Sequence, residues 1–339
     1  MGVRLGNGNW AVKTSKLLAY NDASGMFFNK EFDFTRATTA TRVNKSGLIE
    51  SVASNLPRVD FLNDSKGHLL LEPASTNTAT YSNDFTQGDI FSGSADPSLS
   101  DAILTANQGT APDGTNTAQL LKDDSDGATG QSRLNYFAAN VLSGEFNTAS
   151  VFAKKYSNND FFRIEVGGYD SGFPSVFFNI QNGTLGNIGT GLTAKIEDYG
   201  NGWYRCSVTF QTTTDLVGSI KLCLASANGQ VNVTRDGTNE VLLFGLQAEA
   251  DASINFATSY IPTSGSTVTR NKDQANSSGD TSLISSTEGV LYAEIAALAD
   301  GSAVRSIALA SAAAITNTVE IIYNTTSQTI HFRIRANNS

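Results

Sequence analysis

The chain has 339 residues, with 23 Lys and Arg against 32 Asp and Glu, and a formal net charge of −9. This length fits two or three domains, and the acidic balance disfavours a general nucleic-acid binder, which needs basic surface against phosphates. Charged residues make up only 16% of the chain, so much of its polarity comes from uncharged side chains. Hydrophobic residues make up 40%, which is enough for hydrophobic cores.

The residue counts also restrict the fold class. Two Cys exclude a disulfide-stapled scaffold and a Cys-rich zinc site, and 30 Gly against 6 Pro indicate frequent turns between short apolar runs. The N-terminal segment has no apolar core of a signal peptide, and no apolar run approaches the ~20 residues that span a bilayer. We therefore expect an all-β protein that is made in a cytoplasm and does not insert into a membrane.

Residues 1–75 form a first block that differs in charge from the rest. They carry 9 basic and 7 acidic side chains, whereas the remainder of the chain is strongly acidic. Short extended segments such as Trp10–Val12 and Leu17–Tyr20 alternate with Asn, Gly and Asp turns, without helical periodicity. Because the block has few large apolar residues, we expect an extended N-terminal arm that lies on neighbouring subunits.

Residues 76–262 contain one strand pattern after another. In Trp203–Phe210, one set of alternating residues is apolar and predicted to face a core, while Trp203, Arg205, Ser207 and Thr209 are predicted to face water or a ligand. The sequence Gln181–Thr184 predicts a hairpin turn. The number and spacing of the strands predict an antiparallel jelly-roll β-sandwich.

The end of the chain divides into two parts. Residues 263–286 are rich in Ser, Thr, Asn and Gly and are interpreted as a linker. Residues 287–339 show strand patterns again, with a hairpin at Asn324–Gln328. This segment is about half of a sandwich of ordinary size, so we interpret it as the start of a second β-sandwich that is either cut short or completed by partners.

Catalytic and metal-binding patterns are sparse. The two imidazoles, His68 and His331, have no nucleophile pattern near them, so we expect no catalytic residue and no enzyme; a glycosidase-type carboxylate pair cannot be read from sequence and stays open. The loop Asp123–Gly127 fails as an EF-hand because Lys122 and Arg133 occupy the first and last ligand positions. We expect a solvated turn there and no cofactor or metal, with calcium bound by scattered oxygens left open.

Three aromatic residues are candidates for glycan binding. Trp203 lies opposite the apolar face of its strand and could stack on the C–H face of a sugar, or it could cover the core beneath the Asn201–Gly202 turn. Tyr169 and Phe173 lie in a Gly-rich connection and could contact a ligand or another subunit.

The first block supplies the candidates for an assembly interface. These are Trp10, Arg36, Arg42 and Arg58. The arginines alternate with acids in a segment that we judge too poor in apolar residues to bury charge internally. They could set the register between subunits through bidentate contacts, or form exposed pairs that contribute roughly 0–1 kcal/mol each.

A series of motifs resembles the fibre and appendage proteins of tailed bacteriophages, including tail-fibre and head-fibre types. The N-terminal motifs are Gly6–Lys13, Leu17–Asp22, Phe34–Asn44, Gly47–Glu50, Asn55–Phe61, Leu69–Pro73, Thr76–Asn77 and Tyr81–Phe85. Those of the middle region are Ala111–Thr115, Gly200–Arg205, Phe244–Glu249, Thr258–Thr263 and Val268–Arg270, which resemble a carbohydrate-binding-module-like jelly roll. Glu288–Glu294 resembles the opening of a concanavalin-like sandwich.

The resemblance implies a virion structural protein, usually a homotrimer, that anchors to other virion proteins through residues 1–75 and binds host-surface glycans. It brings no catalytic residue, since depolymerases of this family use larger β-helix domains with internal repeats, which are absent here. The alternatives are a soluble carbohydrate-binding adhesin and a glycan-cleaving depolymerase.

Overall fold

The computed structural model describes residues 3–5, 10–13, 16–21, 26–86, 99–141, 143–167, 172–213, 216–276, 295–297, 305–310, 318–324 and 329–335. Within these ranges the chain forms strands that pair in antiparallel sheets, and no helix is present. The all-β prediction is therefore confirmed. No segment of the described ranges is a helix long and apolar enough to cross a membrane.

The strands in the first half of the chain are β1 Val3–Leu5, β2 Trp10–Lys13, β3 Lys16–Asn21, β4 Met26–Thr35, β5 Ala40–Val43, β6 Ile49–Val52, β7 Arg58–Asp60, β8 His68–Leu71, β9 Ser75–Asn77, β10 Leu99–Ser100, β11 Ala102–Gly109, β12 Ala118–Asp123, β13 Thr129–Gly130, β14 Arg133–Val141, β15 Phe146–Lys155 and β16 Phe161–Gly167. Those in the second half are β17 Ser175–Asn179, β18 Thr184–Ile188, β19 Thr193–Asp198, β20 Trp203–Phe210, β21 Leu216–Ala225, β22 Val233–Thr234, β23 Glu240–Asp251, β24 Val268–Arg270, β25 Gln274–Asn276, β26 Ile295–Ala297, β27 Arg305–Ala310, β28 Thr318–Asn324 and β29 Thr329–Arg335.

The chain folds into two compact units that each combine distant segments. The first unit consists of Met1–Thr38, Val52–Pro73 and Asn271–Ser339, and the second of Thr39–Ser51 and Ala74–Arg270. The second unit thus corresponds to the predicted jelly roll with the hairpin of β5 and β6 added.

Two six-stranded sheets form the sandwich of the second unit. Their orders are β10-β14-β21-β16-β17-β18 and β11-β12-β23-β15-β20-β19. The core between them buries side chains from both sheets, including Phe162, Leu222, Val208 and Leu243. Burial of each such side chain contributes roughly 1.5–3 kcal/mol, so the alternating apolar residues suffice to hold the two sheets together.

Strand β20 corrects one expectation about the sandwich. Its apolar face, with Cys206 and Val208, lies in the core as predicted. Its other face is also covered, since Arg205 is buried and its Nη1 donates to the carbonyl of Thr258 at 2.6 Å. The prediction that this face meets water or a ligand is wrong, because the chain returns to it after β23.

The predicted hairpin at Gln181–Thr184 is present between β17 and β18. Asn179 pairs with Thr184, and Gly183 takes a φ of 71° that suits glycine. The N–H of Gly183 donates to the carbonyl of Asn179 at 2.9 Å. This turn fixes the edge of the first six-stranded sheet.

The first unit contains three sheets, with orders β26-β1-β8-β7, β2-β3-β4-β25 and β27-β28-β29. Strands of residues 1–75 therefore pair within the chain, and Leu69 and Leu70 of β8 are buried. An arm that lies only on neighbouring subunits would leave these strand edges unpaired. The anchoring role of residues 1–75 stays a prediction.

The predicted linker at 263–286 is structured in its first half. Strand β24 pairs with β9, and β25 pairs with β4. The prediction of a linker is wrong for this half. A polar segment can form strands because backbone hydrogen bonds between strands need no apolar side chain. Residues 277–286 lie outside the described residues. Further on, β27, β28 and β29 form the sheet expected in the C-terminal segment.

Candidate functional site

One face of the first six-stranded sheet carries two rows of side chains, most of which are polar or charged. Strand register aligns Arg133, Cys223, Arg163 and Phe177 across β14, β21, β16 and β17. The next row aligns Asn135, Lys221, Glu165 and Ser175. Paired residues point to the same side of a sheet, and the residues between them lie in the core. We call these two rows the polar face.

Glu165 is held between two cations at the centre of the polar face. Its Oε2 accepts from Arg163 Nη1 at 2.5 Å, and its Oε1 accepts from Lys221 Nζ at 2.7 Å. Burial raises the pKa of the Glu165 carboxyl, but the hydrogen bond from Lys221 and the charge of Arg163 outweigh burial and lower the pKa below its ordinary value. Glu165 is therefore an anion at neutral pH.

Phe173 lies beside this ion cluster and is open to solvent. Its side chain is 65% exposed, and Lys221 Nζ lies 4.4 Å from the centre of its ring. Gly167 lies beside the ring, where an added Cβ would be in ordinary contact with Phe173 at 3.5 Å but would displace Ser219, whose Oγ would be 2.0 Å away. The exposed ring of Phe173 therefore lies over an ammonium group near the end of β16.

Asn135 adds a buried amide to the polar face. Its side chain is almost fully buried, and among the residues that the structure describes neither Oδ1 nor Nδ2 has a hydrogen-bond partner. A buried polar group without a partner costs about 1–3 kcal/mol. Asn135 therefore lowers the stability of the polar face, and its burial keeps it away from a ligand on the surface.

These groups match the chemistry of a sugar. The ring of Phe173 offers an apolar surface for pyranose C–H groups, while the Lys221 ammonium beside it can donate a hydrogen bond to a hydroxyl group. An ionised Glu165 also has the protonation state of a nucleophile or general base rather than of a general acid.

Trp203, in contrast, does not lie on an open surface. It is 2% exposed, and its Nε1 donates to the carbonyl of Thr110 at 3.1 Å. The indole face cannot stack on a sugar that lies across the sheet, so the stacking interpretation is corrected in favour of a covering role beside the Asn201–Gly202 turn.

For two other candidate residues, Tyr169 and Trp10, the side-chain environment is not described. Tyr169 lies outside the described residues. Trp10 lies in β2 opposite Ala19, and the surroundings of its side chain fall outside the described part of the chain.

Arg36 and Arg58 are fully buried in ion pairs within the first unit. Both contact Asp273, with Arg36 Nη1 at 3.0 Å from Oδ1 and Arg58 Nη2 close to Oδ2, and Arg58 Nη1 is also 2.9 Å from Glu72 Oε2. The premise that residues 1–75 cannot bury charge is therefore wrong, because an acid from the distant β24–β25 connection completes the cluster.

Arg42 belongs to the second unit and pairs with Glu50 at 2.5 Å, with both side chains partly exposed. This is the exposed pair that the sequence left as one alternative. A role of the four residues in assembly stays a prediction.

The loop Asp123–Gly127 is held by protein donors. Asp123 is buried and accepts hydrogen bonds from Gly237 N and from Asn239 N and Nδ2. Asp126 instead contacts Arg235 at 2.6 Å. The expected solvated turn is thus wrong for Asp123. Among the described residues, no group of three or more His, Cys, Asp or Glu is arranged to hold a metal.

The residues of the polar face that were not predicted are Asn135, Arg163, Glu165 and Lys221. The alternation in Phe161–Val166 places Arg163 and Glu165 on one face and could have indicated them. Lys221 and Asn135 come to lie beside Glu165 because β21 pairs with both β14 and β16, and this strand order cannot be predicted from the local sequence.

Comparison with known proteins finds no matching family model and no matching curated protein. Two solved structures show distant similarity. The enzymatically active domain of tailspike protein 4 from bacteriophage CBA120 matches with 11% identity and a TM-score of 0.29 over 44% of this chain and 18% of that chain. The CBM22-1 and GH10 modules of the Clostridium thermocellum N-terminal endo-1,4-β-D-xylanase 10B, complexed with xylohexaose, match with 14% identity and a TM-score of 0.30 over 55% of this chain and 30% of that chain.

The comparison corrects one expectation. Both matched proteins are enzymes by name, so the expectation that this chain is not an enzyme no longer holds. Similarity at these TM-scores is too distant to assign an activity, and the chain spans less than a third of either matched protein.

Proposed function

We propose that this chain is a structural protein of a bacteriophage virion that forms part of a tail or head fibre and attaches to host-surface glycans. In this proposal it is assembled in the bacterial cytoplasm and joins other virion proteins through residues 1–75. The order of the motifs along the chain supports the phage assignment, and the polar face supports the glycan ligand.

The observation that carries the glycan proposal is the exposed ring of Phe173 beside the Lys221–Glu165 pair. Aromatic rings are usually buried, so a ring that is 65% exposed beside a charged pair is suited to a ligand with one apolar and one polar side. Sugars have this character. A hydroxyl group would then meet the Lys221 ammonium beside the ring.

Electron microscopy of virions tests the phage part of the proposal. Virions labelled with an antibody to this chain should show label on one appendage in negative stain. Absence of label from virions, with the chain detected free in the lysate, would contradict a fibre and favour the soluble adhesin.

A glycan array with purified chain tests the ligand. We expect binding to host capsule or lipopolysaccharide glycans that falls about tenfold or more in Phe173→Ala, because stacking and the cation contact are lost. Tyr156→Ala is the matched control, since Tyr156 is a 49% exposed aromatic residue of the same unit that follows β15 of the other six-stranded sheet. Equal binding by both variants and the unchanged chain would contradict the site.

The same samples separate binding from cleavage. Release of reducing sugar from the bound glycan would assign the depolymerase alternative. That activity should fall in Glu165→Gln if the polar face is the catalytic site.

We further propose that the chain assembles as a homotrimer. The supporting observation is the C-terminal sheet, where Ile330, Phe332 and Ile334 of β29 are each at least 64% exposed on one face. Contiguous apolar surface of this kind is uncommon on monomers and is usually covered by a partner.

A further inference from the structure

The second unit contains a small cavity apart from the polar face. It has a volume of about 150 Å³ and lies between the β5–β6 turn, the segment Thr110–Pro112 and the turn Tyr199–Trp203. An apolar cavity of about this volume accommodates benzene, so the space fits a single six-membered ring. It is too small for an oligosaccharide or a drug-sized ligand, which need roughly 300–1,000 Å³.

The walls of the cavity combine apolar and polar residues. Leu48, Pro112 and Trp203 are apolar, and Asn201 and Tyr199 supply polar groups. Of the described residues that line it, Lys154 is the only charged one and none is acidic, in a chain whose net charge is −9. The local charge of the cavity is therefore opposite to that of the whole protein.

Lys154 is positioned for a ligand rather than for an ion pair. It is the register partner of Trp203 on β15, so both side chains extend from the same side of the sheet. Its stem passes Gly202, where an added Cβ would lie 3.5 Å from Cε. Among the described residues, Lys154 forms no ion pair, whereas Lys155 beside it contacts Asp160 at 2.5 Å.

The cavity is formed before any ligand enters. The Trp203 N–H donates to the carbonyl of Gly200, and Trp203 Nε1 donates to that of Thr110. The N–H of Ile49 donates to the carbonyl of Pro112 at 3.0 Å, which joins the hairpin to the opposite wall. Pre-formed walls lower the entropic cost of binding a small ligand.

We propose that this cavity is a second binding site that accepts one six-membered ring carrying a carboxylate. The ring packs between Leu48, Pro112 and the edge of Trp203, and the carboxylate pairs with Lys154. An acidic sugar and an aromatic acid share this chemistry, so the experiment distinguishes them.

The test uses the fluorescence of Trp203 in the full chain with Trp10→Phe, since the chain has two Trp. We expect a saturable change with D-glucuronate or with benzoate and none with D-glucose. Response to glucuronate alone assigns an acidic sugar, and response to benzoate alone assigns an aromatic acid. A response to glucose equal to that of glucuronate, or no saturable response to either acid, overturns the proposal.

Substitutions link the response to Lys154. Lys154→Met keeps the stem and should weaken binding about tenfold, which is the effect of losing one charge-assisted contact. Lys195→Met is the matched control, because Lys195 is half exposed in the same unit and does not line the cavity. Unchanged affinity in a folded Lys154→Met chain overturns the proposal.

A second variant covers the case in which Lys154→Met fails to fold. Leu48→Ala serves this purpose, because Leu48 is half-buried and is one of the side chains between which the ring packs. This substitution should weaken binding severalfold, and unchanged binding overturns the proposal. Phe173→Ala should leave this response unaltered, so failure here is distinguishable from failure at the polar face.

Discussion

The carboxylate of Glu249 accepts two hydrogen bonds from Thr258, one from its backbone N–H at 3.1 Å and one from its hydroxyl at 2.5 Å. The hydroxyl of Ser75 donates to the same carboxylate at 2.6 Å. Glu249 and Thr258 belong to two of the motifs that resemble phage appendage proteins. These motifs therefore meet in a buried polar network, which explains their residue types by the fold rather than by a ligand.

Glu249→Gln tests this network. A glutamine places an NH2 group where an acceptor is needed, so one buried donor loses its partner and the free energy of unfolding should fall by about 1–3 kcal/mol. Urea unfolding measures the loss. Glu50→Gln is the control at a partly exposed pair, where we expect a change of about 1 kcal/mol or less. Equal losses of unfolding free energy in the two variants would show that the buried network stabilises the fold no more than an exposed pair does.

Gly245→Ala tests a backbone irregularity in β23. The pairing of β15 with β23 shifts register beside Gly245, whose φ is 67°. An added Cβ would lie 2.8 Å from the ring of Phe152 and 3.2 Å from that of Tyr260, so strain and overpacking should together cost about 2 kcal/mol or more.

Gly47→Ala is the matched control for this substitution. Gly47 has a φ of 78°, but an added Cβ meets no atom within 4 Å. Only the backbone cost of about 1–2 kcal/mol should remain there. Thermal unfolding compares the two variants, and a loss at Gly245 no larger than at Gly47 would refute the overpacking argument.

The sequence predicted what depends on local pattern, and it failed where distant segments meet. The apolar face of β20 and the turn at Gln181–Thr184 are local properties, and the structure has them as expected. The burial of Arg36 and Arg58 depends on Asp273, more than 200 residues away. The covering of Arg205 by the segment after β23 is likewise a tertiary effect, for which a single strand gives no signal.

Glu165→Gln should change the response of stability to acid. The folded-state pKa of Glu165 lies below its ordinary value of 4.5, so its stabilising contribution is present above pH 4.5 and is lost as the pH falls through the folded value. The unchanged chain should therefore lose stability more steeply below pH 4.5 than Glu165→Gln does. Urea unfolding at a series of pH values checks this, and parallel curves would contradict an ionised Glu165.

Asp273→Asn should destabilise the first unit. Both carboxylate oxygens of Asp273 contact buried guanidinium groups, and its Oδ2 also accepts from the N–H of Glu72 at 2.9 Å. Removing the charge takes a carboxylate away from two buried guanidinium groups, which should cost about 3–5 kcal/mol.

Limited proteolysis followed by mass spectrometry localises this effect, with new cleavage expected in residues 52–73. Asp64→Asn is the control, since Asp64 is partly exposed and an amide oxygen can still accept from Lys66 N. A protection pattern unchanged from that of the unsubstituted chain would show that the buried cluster does not hold the unit together.

Phe332→Ser should weaken self-association. Phe332 is 79% exposed in β29 and is aligned with Ile321 of β28, so it lies at the centre of the apolar face. Burying a Phe side chain contributes roughly 1.5–3 kcal/mol per copy, and its loss should raise the dissociation constant at least tenfold. Light scattering at micromolar concentration should then shift from the mass of a trimer towards that of the 35.9 kDa chain. Arg335→Ser, at the end of the same strand, should leave the mass unchanged. A monomeric unsubstituted chain, or equal masses for the two variants, would show that the apolar face does not hold copies of the chain together.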